Sequence, residues 1–144
     1  MEMKVAIGSD HAGFELKEVL RDYIKSKGIG VIDKGCYTAD RADYPDYGHA
    51  VATSVLSEEV TMGVLMCGSG NGINISANKH KGIRAALCWN SEIAALARQH
   101  NDANILVLPA RYISKDEAFK CVDVFLSEKF EGGRHKTRVD KIDI

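Results

Sequence analysis

The sequence predicts an α/β protein, a three-layer α/β/α sandwich around a five-stranded parallel sheet. Three observations lead there. Strand-like and helix-like segments alternate strictly along the chain. The strand-like runs, such as Val5-Ala-Ile7 and Ile105-Leu-Val-Leu108, are continuously apolar, the pattern of strands buried on both faces. Glycines and short polar clusters punctuate the runs, with no linker, repeat or low-complexity segment between them. At 144 residues the chain suits a single domain, 1–144, with a core of its own.

The first strand, Lys4–Gly8, leads into a polar loop, Ser9–Gly13. Phe14–Lys27 follows as a helix, because Phe14, Leu16, Val19, Leu20, Tyr23 and Ile24 fall near one face. Gly28 stops it. Gly30–Asp33 is the second strand, and Gly35–Tyr47 a polar loop holding Asp40, Arg41, Asp43, Tyr44 and Pro45. His49–Ser57 has helical spacing, and Val60–Met66 is the third strand. A glycine loop and a helix over Ile73–Asn78 come next. Gly82 precedes the fourth strand, Ile83–Leu87, and Ser91 is placed to cap a helix over Glu92–His100. Ile105–Leu108 is the fifth strand. Ser114, with Glu117 three residues on, forms a capping box for a helix over Lys115–Ser127. A basic tail, Gly132–Ile144, ends the chain. Crossovers between parallel strands put helices on both faces, a Rossmann-like winding.

Composition excludes several classes of function. The hydrophobic share of 45% and charged share of 27% are those of a soluble globular protein. A net charge of −1 makes no case for binding nucleic acid or a membrane surface. No apolar run approaches membrane-spanning length, and Met1 leads straight into a strand with no signal-peptide pattern, so a cytoplasmic location is expected. The four cysteines form no C-x-x-C pair, which argues against a zinc ribbon or thioredoxin motif, and disulfides are not expected. Cys88 and Cys121 read as small buried apolar side chains.

The stretch Met62–Lys79 organises the chain. It delivers Cys67 to the end of an apolar strand, follows it with Gly68, Gly70 and Gly72, and opens a helix behind them. Glycine lets backbone N–H groups turn toward an anion, and a helix N-terminus adds positive potential. A cysteine at such a point is a candidate base or nucleophile. The loop is neither G-x-G-x-x-G nor a Walker loop, which disfavours nucleotide binding through those motifs. Ligands of such sheets bind at the carboxyl ends of the strands. The first-strand loop there carries Asp10 and His11, and it would share a crevice with Cys67, Ser69 and Asn71 if strands 1 and 3 are neighbours. Arg111, in the loop after strand 5, is a candidate anion clamp. His100-Asn101 ends a crossover helix, which places it at the opposite edge of the sheet, within reach only of a second subunit's site. In the tail, Arg134 and Arg138 share a helical face beside His135, a set suited to phosphate or carboxylate. Taken singly, each feature also has a plain structural reading: a tight turn, an N-cap with a surface histidine, a histidine on a helix dipole, a solvated basic end.

Six blocks in order carry a family resemblance: Gly8-Ser-Asp-His-Ala-Gly-Phe14, Asp43-Tyr-Pro45, Cys67-Gly-Ser-Gly-Asn-Gly72, Ala77-Asn-Lys79, Arg98-Gln-His-Asn-Asp102 and Phe130-Glu-Gly-Gly-Arg-His135. Together they resemble the sugar-phosphate isomerases of the ribose-5-phosphate isomerase B type, a family that includes allose- and galactose-6-phosphate isomerases. The resemblance implies interconversion of ribose 5-phosphate and ribulose 5-phosphate through a cis-enediolate, with no metal and no cofactor. It implies Cys67 as the base, assisted by Ser69, with Asp10 and His100 serving ring opening as proton acceptor and donor. The amides of Gly68, Gly70, Asn71, Gly72 and Ile73 would hold the enediolate oxygen. His11, Arg111, Arg134 and Arg138, joined by His135, would hold the phosphate, and Tyr44 and Asn101 the sugar hydroxyls or enediolate. Where one branch of the family has a glutamate base, this chain has Ile73, which cannot move a proton; that places it with the cysteine-using branch. The resemblance further implies a strand order close to 2-1-3-5-4 and a homo-oligomer, dimer or tetramer, whose active site lies at a subunit interface, with the tail 130–144 reaching a neighbour. A six-carbon sugar phosphate as substrate, or a non-catalytic phosphosugar-binding subunit, are the alternatives.

Overall fold

The structure is a computed structural model that describes residues 2–144. Five strands, β1 (Lys4–Ser9), β2 (Gly30–Asp33), β3 (Met62–Cys67), β4 (Ala85–Leu87) and β5 (Ile105–Pro109), form one parallel sheet in the order β2-β1-β3-β5-β4. The helices are α1 (Phe14–Ser26), α2 (Tyr44–Leu56), α3 (Asn71–Asn78), α4 (Ser91–Asn101), α5 (Lys115–Ser127) and α6 (Arg134–Val139). No helix among the described residues is long and apolar enough to cross a membrane.

Side chains of the central strands alternate between two cores. Val5, Ile7, Val64, Met66, Leu106 and Leu108 pack against Leu20 and Ile24 of α1, Ala94 and Ala97 of α4, and Cys121, Val122 and Phe125 of α5. Ala6, Leu65, Cys67, Ile105 and Val107 pack against Val51 and Ala52 of α2 and Ile73 and Ala77 of α3. This is the three-layer sandwich, and it explains why the strands read as continuous apolar runs: both faces are covered.

Several boundaries differ from the sequence expectation. Helix α2 begins at Tyr44, not His49, so Tyr44 is a helical residue rather than a loop residue. Asp43 stands extended before it and Pro45 sits in its first turn, where a fixed φ favours the helix and the missing N–H costs nothing. Helix α3 begins at Asn71 rather than Ile73. Asn90, not Ser91, caps α4, its side chain accepting the Ile93 N–H at 2.9 Å. Ser114 caps α5 by accepting the Glu117 N–H at 3.1 Å, but the return half of the capping box is absent. Glu117 instead accepts the Ser91 N–H at 2.7 Å and ties α5 to α4.

Lys17, outside the predicted apolar face of α1, is fully buried. Its Nζ donates to Asp33 at 2.6 Å and to Glu18 at 3.1 Å. Burial by itself would raise the Asp33 pKa. The hydrogen bonds from Lys17, the Gly35 amide and Arg21, with the charge of Lys17, outweigh it and hold the carboxyl below its ordinary 3.8.

Candidate active site

Register assembles the first half of the site. Ser9 of β1 is level with Met66 of β3, and Cys67 is level with Pro109 of β5, so the loops after these three strands emerge side by side. After Ser9 the chain makes a 3₁₀ turn, His11–Gly13, capped by Asp10. The Asp10 Oδ1 accepts the N–H groups of Ala12 at 3.0 Å and Gly13 at 3.2 Å. That turn lies directly on the end of β3. A Cβ on Gly13 would stand 2.7 Å from the Met66 carbonyl oxygen, so only glycine permits the approach. Asp10 is thereby held, almost fully buried, beside the start of the glycine loop.

Cys67 is the last residue of β3, 5% exposed and on the face packed by α2 and α3. The β5–α5 loop is fastened to it: the Cys67 carbonyl accepts the Ala110 N–H at 2.9 Å and the Gly68 carbonyl accepts the Arg111 N–H at 3.0 Å. The Arg111 guanidinium lies against Gly68, with Nη1 3.3 Å from where a Cβ would be. Gly70 turns the chain into α3 at φ 82°, the left-handed region, with the Leu87 side chain against it. Tyr44 lays its ring over Gly72, so the first turn of α2 roofs the first turn of α3. Of the loop amides, Asn71 N–H turns inward to Ser69 Oγ at 3.2 Å. The N–H groups of Gly72 and Ile73 stand in the first turn of α3, where no intrahelical acceptor exists. A helix N-terminus with unspent donors beside a thiol is an arrangement that can hold an oxyanion next to a base. His11 lies in the 3₁₀ turn that follows β1. Its Nδ1 lies 3.1 Å from the amide nitrogen and 3.2 Å from the carbonyl oxygen of Ala42, pinning the β2–α2 loop. When the Ala42 N–H donates to Nδ1, the ring proton sits on Nε2, which is then a donor toward a ligand.

The other predicted residues gather elsewhere. His100 and Asn101 end α4, ahead of the amino end of β5, whereas Cys67 pairs with Pro109 at the carboxyl end of that strand. The four steps from Ile105 to Pro109 alone span about 13 Å. His100 therefore does not join the Cys67 loop of its own chain. It stacks on His135 of α6, ring centroids 4.2 Å apart and planes 10° off parallel. Arg134 and Arg138 are exposed on the same short helix. Glu131, which the sequence reading left unassigned, donates its N–H to the Gln99 carbonyl at 3.0 Å. Its carboxylate oxygen lies 3.6 Å from His135 Nε2 and 3.9 Å from His100 Nε2. Its position four residues before His135 was the available signal. Burial, with the nearby charges of His100 and Arg134, pushes the His135 pKa below its ordinary value. Gly13 and Ala42 also go unmarked in the sequence, because the strand and the side chain they meet, β3 and His11, are distant along the chain. By contrast, Cys88 and Cys121 match expectation: both are fully buried, and burial pushes their thiols up to about 12, too high for chemistry.

Comparison with known proteins places the chain in a family. Residues 5–142 match the family described as Ribose/Galactose Isomerase. The chain belongs to that isomerase family. Among its relatives, the Escherichia coli K12 protein named ribose-5-phosphate isomerase B is 45% identical over 139 residues, spanning 96% of this chain and 93% of its own length. The crystal structure of a Thermotoga maritima ribose 5-phosphate isomerase superposes with a TM-score of 0.97 at 54% identity, covering 99% of both chains. A Mycoplasma genitalium ribose-5-phosphate isomerase B, solved with bound ribulose-5-phosphate, superposes with a TM-score of 0.93 at 44% identity, covering 99% of this chain and 95% of that one. The likeness of this isomerase-family chain thus includes the glycine loop and the α4–α6 end alike.

Proposed function

We propose that the protein interconverts ribose 5-phosphate and ribulose 5-phosphate at a site built from two chains. One contributes Asp10, His11, Tyr44, the Cys67–Ile73 loop and Arg111; the other contributes His100, Asn101, Arg134, His135 and Arg138. Asp10 and His100 open the ring, one accepting the anomeric hydroxyl proton and the other donating to the ring oxygen. Cys67 Sγ, as thiolate, takes the proton from C2 of the open aldose and returns it to C1, while the proton of the C2 hydroxyl passes to the C1 oxygen. The enediolate oxygen formed between these steps is held by the free N–H groups of Gly72 and Ile73, with Ser69 and Asn71 ordering the loop. His11 and the arginines take the phosphate, and Tyr44 and Asn101 the hydroxyls. Because Ile73 carries no acid–base group, Cys67 is the loop's sole candidate for the proton transfer.

The observation that carries this reading is the coincidence of a thiol, a carboxylate and unspent helix amides at the ends of β1 and β3. The likeness to a relative solved with ribulose-5-phosphate supports the substrate class. Turnover of ribose 5-phosphate and allose 6-phosphate by the purified chain tests it. Preference for the five-carbon sugar is expected. Preference for the six-carbon sugar would change the substrate, and failure on both would point to a non-catalytic subunit.

A further inference from the structure

At the α4–α6 end, three metal-ligating side chains converge. The His100 and His135 imidazoles and the Glu131 carboxylate each offer one ligand atom, and the three atoms lie within 4.8 Å of one another. The two Nε2 atoms stand 3.9 Å and 3.6 Å from the same Glu131 oxygen. His135 is 95% buried, counting 5% exposure, and its Nε2 is a buried polar atom with no hydrogen-bond partner. An unpartnered ring nitrogen aimed at a carboxylate, with a second imidazole stacked alongside, is a set of donors awaiting a cation.

We propose that His100, Glu131 and His135 bind a divalent transition-metal ion of the zinc class, and that the ion inhibits turnover by occupying His100. Two imidazoles and one carboxylate, with a fourth position open to water, form a familiar zinc donor set. Tetrahedral bonds of about 2.0–2.1 Å put ligand atoms about 3.3 Å apart, closer than the 3.6 and 3.9 Å that separate the two Nε2 atoms from Glu131, so the three side chains must draw together around the ion. The stacked rings must fan slightly to aim both lone pairs at one point. Imidazole nitrogen disfavours magnesium and calcium, which prefer oxygen shells. Glu131 and His100 are partly exposed, so the ion has a path in. Arg134 and Arg138 on α6 oppose the incoming charge, which limits affinity without blocking a neutral-imidazole site. The inhibitory effect rests on the ring-opening role proposed for His100; binding does not.

The test is equilibrium dialysis of the full chain against zinc chloride in phosphate-free buffer, with elemental analysis, beside the turnover of ribose 5-phosphate. One zinc per chain is expected, with inhibition at the same midpoint and no effect of magnesium. Glu131→Gln should weaken binding about 10-fold or more, since losing a ligand costs at least what losing an outer-shell partner does. Cys67→Ala should bind zinc unchanged, and its cobalt(II) complex should lack a thiolate charge-transfer band. Zinc lost from Cys67→Ala, or held undiminished by Glu131→Gln, overturns the site. Zinc bound as expected by a chain with no isomerase activity would keep the site and discard the function.

Discussion

If the active site needs two chains, two different knock-outs should repair each other. In Cys67→Ala the loop half is broken, and in His100→Ala the α4 half. Within one chain these residues flank the full length of β5, about 13 Å of strand, with His100 turned toward α6. In a mixed dimer, the site combining Cys67 of one chain with His100 of the other is whole, while the second site lacks both. Random reassembly of equal amounts makes about half of all dimers mixed, each with one good site of two, so about a quarter of wild-type activity should return. The two parents separately should be nearly inactive. Differently tagged chains, co-expressed and purified through both tags, give pure mixed dimers, whose expected activity is about half that of wild type. Mixed dimers that form but stay as inactive as the parents would refute the two-chain site and require Cys67 and His100 to act within one chain.

Cys67→Ala by itself should lower kcat about 10³-fold or more, the scale of losing a positioned base, while ribose 5-phosphate still binds by calorimetry; near-normal turnover would remove Cys67 from its role. Gly13→Ala drives a Cβ to 2.7 Å from the Met66 carbonyl, so it should cost about 1–3 kcal/mol in urea unfolding and also reduce turnover by lifting Asp10 from the loop. Unchanged stability would mean that the 3₁₀ turn moves freely. Asp33→Asn leaves the buried Lys17 charge with Glu18 as its remaining carboxylate and should destabilise the fold by about 3 kcal/mol at neutral pH. The Asp33 pKa is lowered in the folded state, so its stabilisation is present above 3.8 and is lost as pH falls through the lower folded value. That part of the acid-side loss should vanish in Asp33→Asn; identical acid profiles would discount the ion pair.

Element order and sheet class were legible because periodicity is local. Continuous apolar runs mark doubly covered strands, and the helical faces of α1 and α5 follow from residues within a few turns of one another. Boundaries failed where residue type and context disagreed. The Asp43-Tyr-Pro45 cluster reads as a loop, yet proline in a first turn starts α2, and this moved Tyr44 onto a helix over Gly72. Glu117 has the spacing of a capping box, but the packing of α4 beside α5 offered its carboxylate a better donor at Ser91.

The sequence by itself determined the alternation of elements, the thiol-and-glycine loop, the histidines and arginines near either end of the sheet, and their separation along the chain. Only the tertiary structure decided what those residues touch. Lys17 is buried because Asp33 comes to it from β2, Gly13 is obligatory because β3 passes beneath it, and Glu131 meets two stacked histidines because α6 folds back on the end of α4. Such contacts join residues distant in sequence. They depend on how crossovers pack across the sheet, a geometry that spacing within any one segment does not record.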